Sequence, residues 1–385
     1  MTRALAVLWL GAFAFFLSFL LLLSALPIFA RRLGASDAAI GVVMGSFGLT
    51  SLALRPLTGW GADRYGRRPF MLAGAAVFAL ASVGYGFTAG VTGLVLVRLL
   101  HGAGMGFYPT AASAMVADVS PPARRGEILG LYGAAGSIAL AVGPVSGMAL
   151  VGRVGFTGLF WIAGGVAAVA LVLTVAARET LEQARRRPFT SADVVSPSAL
   201  FPSLVVLCLM FTYGVQVAFL PLHADAEGVN PGVFFLAFAL TVTVVRAPAG
   251  RLSDRTGRPP VAAAGLTLIA AALVVLVLTA GLPGLVLAGA VYGLGYGAAQ
   301  PALMAWCVDE ATEGDRGRAM ATFYSALEIG IVIGAMSSGL AVARWGFTGA
   351  FLATAGIALG GAALALARQS PTAASDRRPP SAWRR

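Results

Sequence analysis

The chain reads as an all-α integral membrane protein: twelve transmembrane helices in two six-helix bundles related by a parallel repeat. Three observations lead there. First, 58% of the 385 residues are hydrophobic, 11% are charged and the mean hydropathy is +0.85, too apolar for a soluble domain of this length. Second, apolar runs of about 18 to 25 residues, enough to cross a hydrocarbon core of roughly 30 Å, recur along the whole sequence. Third, the sequence matches itself at a displacement of 191 residues, as when Arg55 falls on Arg246 and Asp63 on Asp254.

In order, the runs span 5–30, 39–58, 69–89, 91–117, 127–150, 155–177, 201–222, 232–250, 260–281, 283–308, 317–341 and 346–368. Arg3 ahead of the first run resembles the start of a signal peptide, but Leu5 to Leu26 is too long for one, so an uncleaved helix is expected. Charge placement orients the segments. All 27 basic residues are arginine, and 20 of them fall at the termini or in the loops that follow even-numbered segments; Arg31, Arg32, Arg153 and Arg344 lie in the other set. The positive-inside rule then places both termini in the cytoplasm. The net charge of +11 is a consequence of topology; its spread over many short loops excludes a nucleic-acid partner. Cys208 and Cys307 lie within apolar runs and read as small packing residues, with no disulfide or metal-ligand spacing.

The 191-residue match also pairs Gly59 with Gly250, Gly66 with Gly257, Arg67 with Arg258, Asp118 with Asp309 and Arg153 with Arg344, while "GFTG" at 155–158 returns at 346–349. Six is even, so the halves share one orientation. The expected division is an N-terminal bundle at 1–177, a polar cytoplasmic linker at 178–200, a C-terminal bundle at 201–368 and a disordered tail at 369–385. Two parallel repeats with a site near the midplane between them are the architecture of a rocking transporter.

On these residues the chain resembles the major facilitator superfamily over nearly its whole length. "GWGADRYGRRP" (59–69) resembles the family's loop signature between helices 2 and 3, with Gly61 in place of the usual aliphatic residue, and "GRLSDRTGRPP" (250–260) repeats it with Leu252 retained. The resemblance implies a conformational latch built from Asp63, Arg64, Gly66, Arg67 and Asp118, with Asp254, Arg258 and Asp309 in the second half. Asp63 would sit against the positive start of the eleventh segment near Gly317; Arg67 would pair with Asp118 and Arg258 with Asp309. The plainer alternative is that these charges set topology and that Gly66 and Gly257 make tight turns.

Arg98 in "VRLLHGAGMG" lies deep in an apolar run, where a charge is costly enough to suggest function. With Gly102 and Gly104 it resembles the family's helix-4 pattern, which implies proton coupling or organisation of the N-terminal half of the cavity; the plainer alternative is an arginine bonded to neighbouring carbonyls for structure. His101 follows as a group able to titrate near neutral pH or simply to pack. Gly143, Pro144 and Gly147 resemble the end of the antiporter motif of drug and metabolite exporters, where small residues admit close helix approach and Pro bends the helix.

One carboxylate, Glu328, lies deep in an apolar run. Removed from water it must be protonated or paired, with Arg98 or a cationic substrate as partners, so it leads the candidates for proton coupling ahead of Arg98 and His101; the plainer alternative is a packing residue hydrogen-bonded to Tyr324 or a facing helix. Tyr213, Gln216, Tyr292, Tyr296, Gln300 and Tyr324 are candidates to line the substrate cavity. An enzyme would need clustered ligands or a nucleophile constellation that two distant histidines and one deep acid do not supply. A nucleotide-binding GxxxxGK[ST] loop cannot form without lysine, so no ATP-driven pump resides in this chain. The expectation is a monomeric secondary transporter of the bacterial inner membrane with no cofactor, working on a small-molecule substrate, protons and the lipid bilayer. Proton-coupled efflux of an amphiphilic drug or metabolite leads; proton-linked uptake of a sugar or organic acid is the alternative.

Overall fold

Runs this apolar can satisfy their backbone polar groups in lipid only as helices or closed barrels, and in the computed structural model, which describes residues 3–121, 124–181, 195–312 and 315–368, helices joined by short connections are the one kind of regular structure among the described residues. The helices are α1 (Arg3–Leu23), α2 (Ala25–Arg32), α3 (Asp37–Tyr65), α4 (Arg67–Gly84), α5 (Val91–Asp118), α6 (Arg125–Ala176), α7 (Leu200–Ala226), α8 (Gly232–Thr256), α9 (Arg258–Leu278), α10 (Gly281–Glu310) and α11 (Arg316–Ala367). Ten are long and apolar enough to cross a membrane. Two of these, α6 and α11, hold 52 residues each and break at Gly155 (φ 71°, ψ 179°) and Gly346 (φ 67°, ψ −177°). The fifth and sixth segments are thus two limbs of α6, and the eleventh and twelfth two limbs of α11. That backbone conformation belongs almost solely to glycine, and it falls at the first residue of each "GFTG".

Two sequence expectations need adjustment. The first segment is not continuous: it breaks at Ser24, and Pro27 in α2 cannot donate to a carbonyl one turn back. Several helices also outrun their apolar windows. α3 continues seven residues past 58 to Tyr65 and α4 begins at Arg67, so all of the first charged motif but Gly66 is helical; a helix does not have to end where the hydrocarbon does. Most of the expected linker, 182–194, and the expected tail, 369–385, lie outside the described residues.

Packing follows the repeat. α1 lies on α6 and α3 on α5; their counterparts are α7 on α11 and α8 on α10. Two seams join the halves, α3 with α11 and α6 with α8, and α2 meets α7 between them. Both seams are tight at the end of the bundle away from the termini. A Cβ on Gly41 would meet Ala335 O at 2.7 Å and Met336 O at 2.9 Å; one on its counterpart Gly232 would meet Val145 N at 2.3 Å and the Pro144 carbonyl carbon at 2.5 Å. Each pair of neighbours is the 191-residue image of the other. A core cluster there draws Leu26, Ile40 and Phe160 together with Phe219, Leu222 and Val342 across the halves. Along α3 the close approaches to the other half run from Gly41 to Gly48, which packs on Val332, and Gly59 and Gly250 nearer the termini have nothing within 4 Å; the halves diverge toward that end, and the space between them is the candidate cleft.

Candidate functional site

The first charged motif turns at Gly66 (φ 106°, ψ 156°) and the second at Gly257 (φ 100°, ψ 157°), both in the region open to glycine. Arg67, nearly buried, takes Asp63 at 2.7 Å, Asp118 at 3.3 Å and the Ala62 carbonyl at 2.5 Å. Arg258 repeats this arrangement with Asp254, with Asp309 at 2.9 Å and with Ser253 Oγ at 2.8 Å. Arg64 is exposed and lies over the rings of Trp60 and Tyr65. Asp63 is not placed against the eleventh segment. It bonds within its own half, because the halves part at this end and α3 meets α11 through the opposite end.

Sequence reasoning passed over two ties to these corners. The Glu179 carboxylate accepts from the backbone N–H groups of Arg67 (3.0 Å) and Arg68 (2.9 Å) at the start of α4, and from those of Thr180 and Leu181. Partial burial acts to raise this carboxyl, but four backbone donors outweigh it and hold it below the usual carboxylate range. Asp315 at the start of α11 accepts from Ser196 Oγ at 2.5 Å and Arg318 Nε at 2.5 Å, and these bonds lower its carboxyl also. Neither acid belongs to the 191-residue match, so the signal that exposed the motif was silent on them.

Arg98 is buried and faces its own half. It donates to the carbonyls of Val43 (3.3 Å) and Met44 (3.2 Å) on α3 and lies 4.5 Å from the Phe47 ring centroid. In the second half Gly289 replaces it, and a Cβ there would stand 2.5 Å from the Phe234 carbonyl, the counterpart of Val43. A guanidinium holds the helices together in one half and direct backbone approach does so in the other. His101 is fully enclosed, with Nδ1 3.0 Å from Tyr85 Oη, Nε2 without a hydrogen-bond partner, and the rings of Phe19, Phe47 and Phe78 around it.

The glycines of the antiporter-like segment press the first limb of α6 onto α1, where Cβ atoms on Gly143 and Gly147 would meet Leu20 Cβ at 2.7 Å and Leu21 O at 2.0 Å. The opposite side, at Pro144 and Val145, receives Gly232 and an Asn230 side-chain bond to Val145 O at 3.3 Å. The segment therefore touches both halves.

Glu328 does not pair with Arg98. Its partner is Arg55, at 2.5 Å across the seam between α3 and α11. Arg55 points into the seam while Arg98, on α5, points behind α3 to reach its backbone carbonyls. Arg246, the counterpart of Arg55, is exposed and donates to Gln300 Oε1 at 3.3 Å. Tyr324 is 41% exposed and reaches Met304 Sδ at 4.0 Å, one turn from Gln300. Tyr213 and Tyr296 stand 6.0 Å apart, ring to ring, deeper in the wall. Gln216 and Tyr292 do not line the cleft: both are buried, Tyr292 bonding Thr212 Oγ1 at 2.7 Å, because their faces of α7 and α10 turn into the packing of the second half. Arg55 and Arg246 were visible in sequence as charges in apolar runs that match each other at 191 residues, a coincidence that Arg98 lacks.

The comparisons agree with this geometry. A profile of the Major Facilitator Superfamily matches residues 8–245 and 203–384. The chain is 27% identical over 376 residues to the "Multidrug resistance protein MdtG" of Enterobacter lignolyticus, covering 93% of this chain and 90% of that one. It is 24% identical over 349 residues to an "Uncharacterized MFS-type transporter" of Methanocaldococcus jannaschii, covering 86% and 89%. Among solved structures, a POT family transporter in complex with 5-aminolevulinic acid superposes with a TM-score of 0.82 at 14% identity, covering 97% of each chain. Two repeated halves, matched seams and a profile that spans both halves make this chain a member of the Major Facilitator Superfamily, a multi-pass membrane transporter of small molecules.

Proposed function

We propose that the protein is a secondary active transporter of the bacterial inner membrane that exports a small amphiphilic drug or metabolite in exchange for protons by alternating access. The observation that carries this reading is the Arg55–Glu328 pair. A lone carboxylate at mid-depth joins the two halves through one ion pair, so adding a proton to Glu328 removes an attraction that is present only while the halves touch there. Arrangement of the chain as two bundles, 1–177 and 201–368, joined by a linker, supports the same cycle. By the positive-inside rule the termini are cytoplasmic, so the cleft opens inward in this conformation. The name MdtG, borne by bacterial relatives, supports export of drug-like compounds. On this reading the two charged corners are the latch that holds the cytoplasmic face shut once the protein turns outward.

The test is substrate flux in proteoliposomes with and without an imposed pH gradient. Glu328→Gln keeps the shape and removes the titration; it should lose uphill flux and retain exchange. A Glu328→Gln protein that still concentrates substrate like the parent sinks the coupling role. Proton-linked uptake of an organic acid draws support from the cationic Arg246, and the direction of flux relative to the gradient separates the two.

A further inference from the structure

Among the described residues, the helix interiors hold Arg55, Arg98, Arg246, His101 and Glu328 at membrane depth. Arg98 is buried on backbone carbonyls, and Arg55 is neutralised by Glu328. Arg246 is different. Its one hydrogen bond to the protein is to a neutral amide oxygen, so it uses one of five N–H donors and has no carboxylate beside it. It is also exposed. Arg246 and Gln300 each lie ten residues before the ends of α8 and α10, Arg55 ten before the end of α3 and Glu328 twelve after the start of α11. At 1.5 Å per residue all four sit about 15–18 Å inside the helix ends. A charge at such depth is costly unless something pairs with it.

Arg246 and the Arg55–Glu328 pair belong to one wall. Tyr324 stands one turn before Glu328 on α11 and reaches Met304, one turn after Gln300 on α10, and Gln300 in turn accepts from Arg246. The cleft therefore presents a guanidinium with free donors, an amide, a phenol and methionine sulfur, with its single acid already engaged. This surface repels a cation and suits a planar or tetrahedral oxyanion attached to an apolar body.

We propose that the transported compound is an amphiphilic anion, a carboxylate or phosphonate, whose charged group docks on Arg246 beside Gln300. Release of Arg55 from Glu328 supplies the second cation from the opposite half. This assignment rests on the transport reading above and names its substrate class.

The experiment uses the purified full-length protein. Equilibrium dialysis measures binding of benzoate, octanoate and phenylphosphonate against the matched benzamide, octylamine and benzylamine. At least one acid should bind saturably and more tightly than its counterparts. Arg246→Gln should weaken that acid by about tenfold or more, the loss of a charged hydrogen bond, and leave the counterparts unchanged. Arg246→Lys, which keeps the charge without the fork, should recover part of the affinity and so exclude misfolding as the cause. Glu328→Gln, which frees Arg55, should tighten acid binding. Absence of any acid preference, or an Arg246→Gln protein that binds the acid like the parent, overturns the proposal; an unchanged affinity in Glu328→Gln overturns the part assigned to Arg55. Acid binding that persists without flux in liposomes under any gradient would sink the transport reading while leaving the anion site standing.

Discussion

Single side chains in this protein act mostly on backbone. Glu179 gathers four N–H groups at the corner between α3 and α4, and the helix start it serves has no side-chain cap of its own at Gly66. Glu179→Gln keeps the shape but loses the charge that faces a helix N-terminus, so it should lower thermal stability in detergent by about 1 kcal/mol. The pH dependence has a definite sign. A carboxyl held below its usual range stabilises the fold above that range, and the contribution fades as pH falls through the depressed value. The parent's melting temperature should therefore drop on acidification more than that of Glu179→Gln. Arg67 has three partners and little exposure, so Arg67→Ala should cost more than Arg258→Ala, whose site is wetter. Melting curves of the two variants check the order. Of these residues, the paired motif was legible in sequence because it is written twice; Glu179 was not, because its partners are amide groups that every residue carries.

Two helices end, and two long ones break, at glycines in unusual backbone conformations. Gly66 and Gly257 share one backbone conformation and Gly155 and Gly346 another close to it, all with positive φ and extended ψ, and each pair is related by the 191-residue offset. Any side chain there is strained, at about 1–3 kcal/mol per site. Gly155→Ala and Gly346→Ala should each lower stability in that range, with nothing near enough to clash, and calorimetry or melting in detergent will show whether the two halves lose equally. Element existence was legible from hydropathy alone, and the repeat of "GFTG" marked both breaks without revealing that no loop intervenes. Seam contacts were not legible. A period of apolar residues says that a helix is buried, whereas Gly41 on Met336 and Gly232 on Val145 depend on which backbones meet.

For the molecule as a whole, the tight seams away from the termini and the divergence of the halves near them fit one end of the proposed alternating-access cycle. A Cβ on Gly45 would stand 2.4 Å from Met336 Cγ, close to where a cysteine sulfur at 336 would lie. Oxidation of the Gly45→Cys/Met336→Cys protein should lock the seam and abolish flux, and reductant should restore it; flux that survives complete cross-linking would show that these ends never part. On the proposed latch role of Asp63, Asp63→Asn should abolish most transport with membrane insertion intact, and normal flux in that variant would remove the latch. Orientation has its own test. A cysteine at exposed Asp225 should label from outside intact cells and one at exposed Arg124 only after permeabilisation; the reverse pattern would invert the topology and place the cleft outside.

The connections at the end away from the termini are short. They run over 33–36, 85–90, 227–231 and 279–280, with a single glycine at each of the breaks in α6 and α11. With so little chain raised above the lipid, that face is a poor antigen. With the termini cytoplasmic, as proposed, antibodies or nanobodies raised against whole cells would find few footholds there. Selections on purified protein should instead return binders to the terminus face, and on the proposed latch, in which the charged corners exchange partners, such binders would serve as conformational traps.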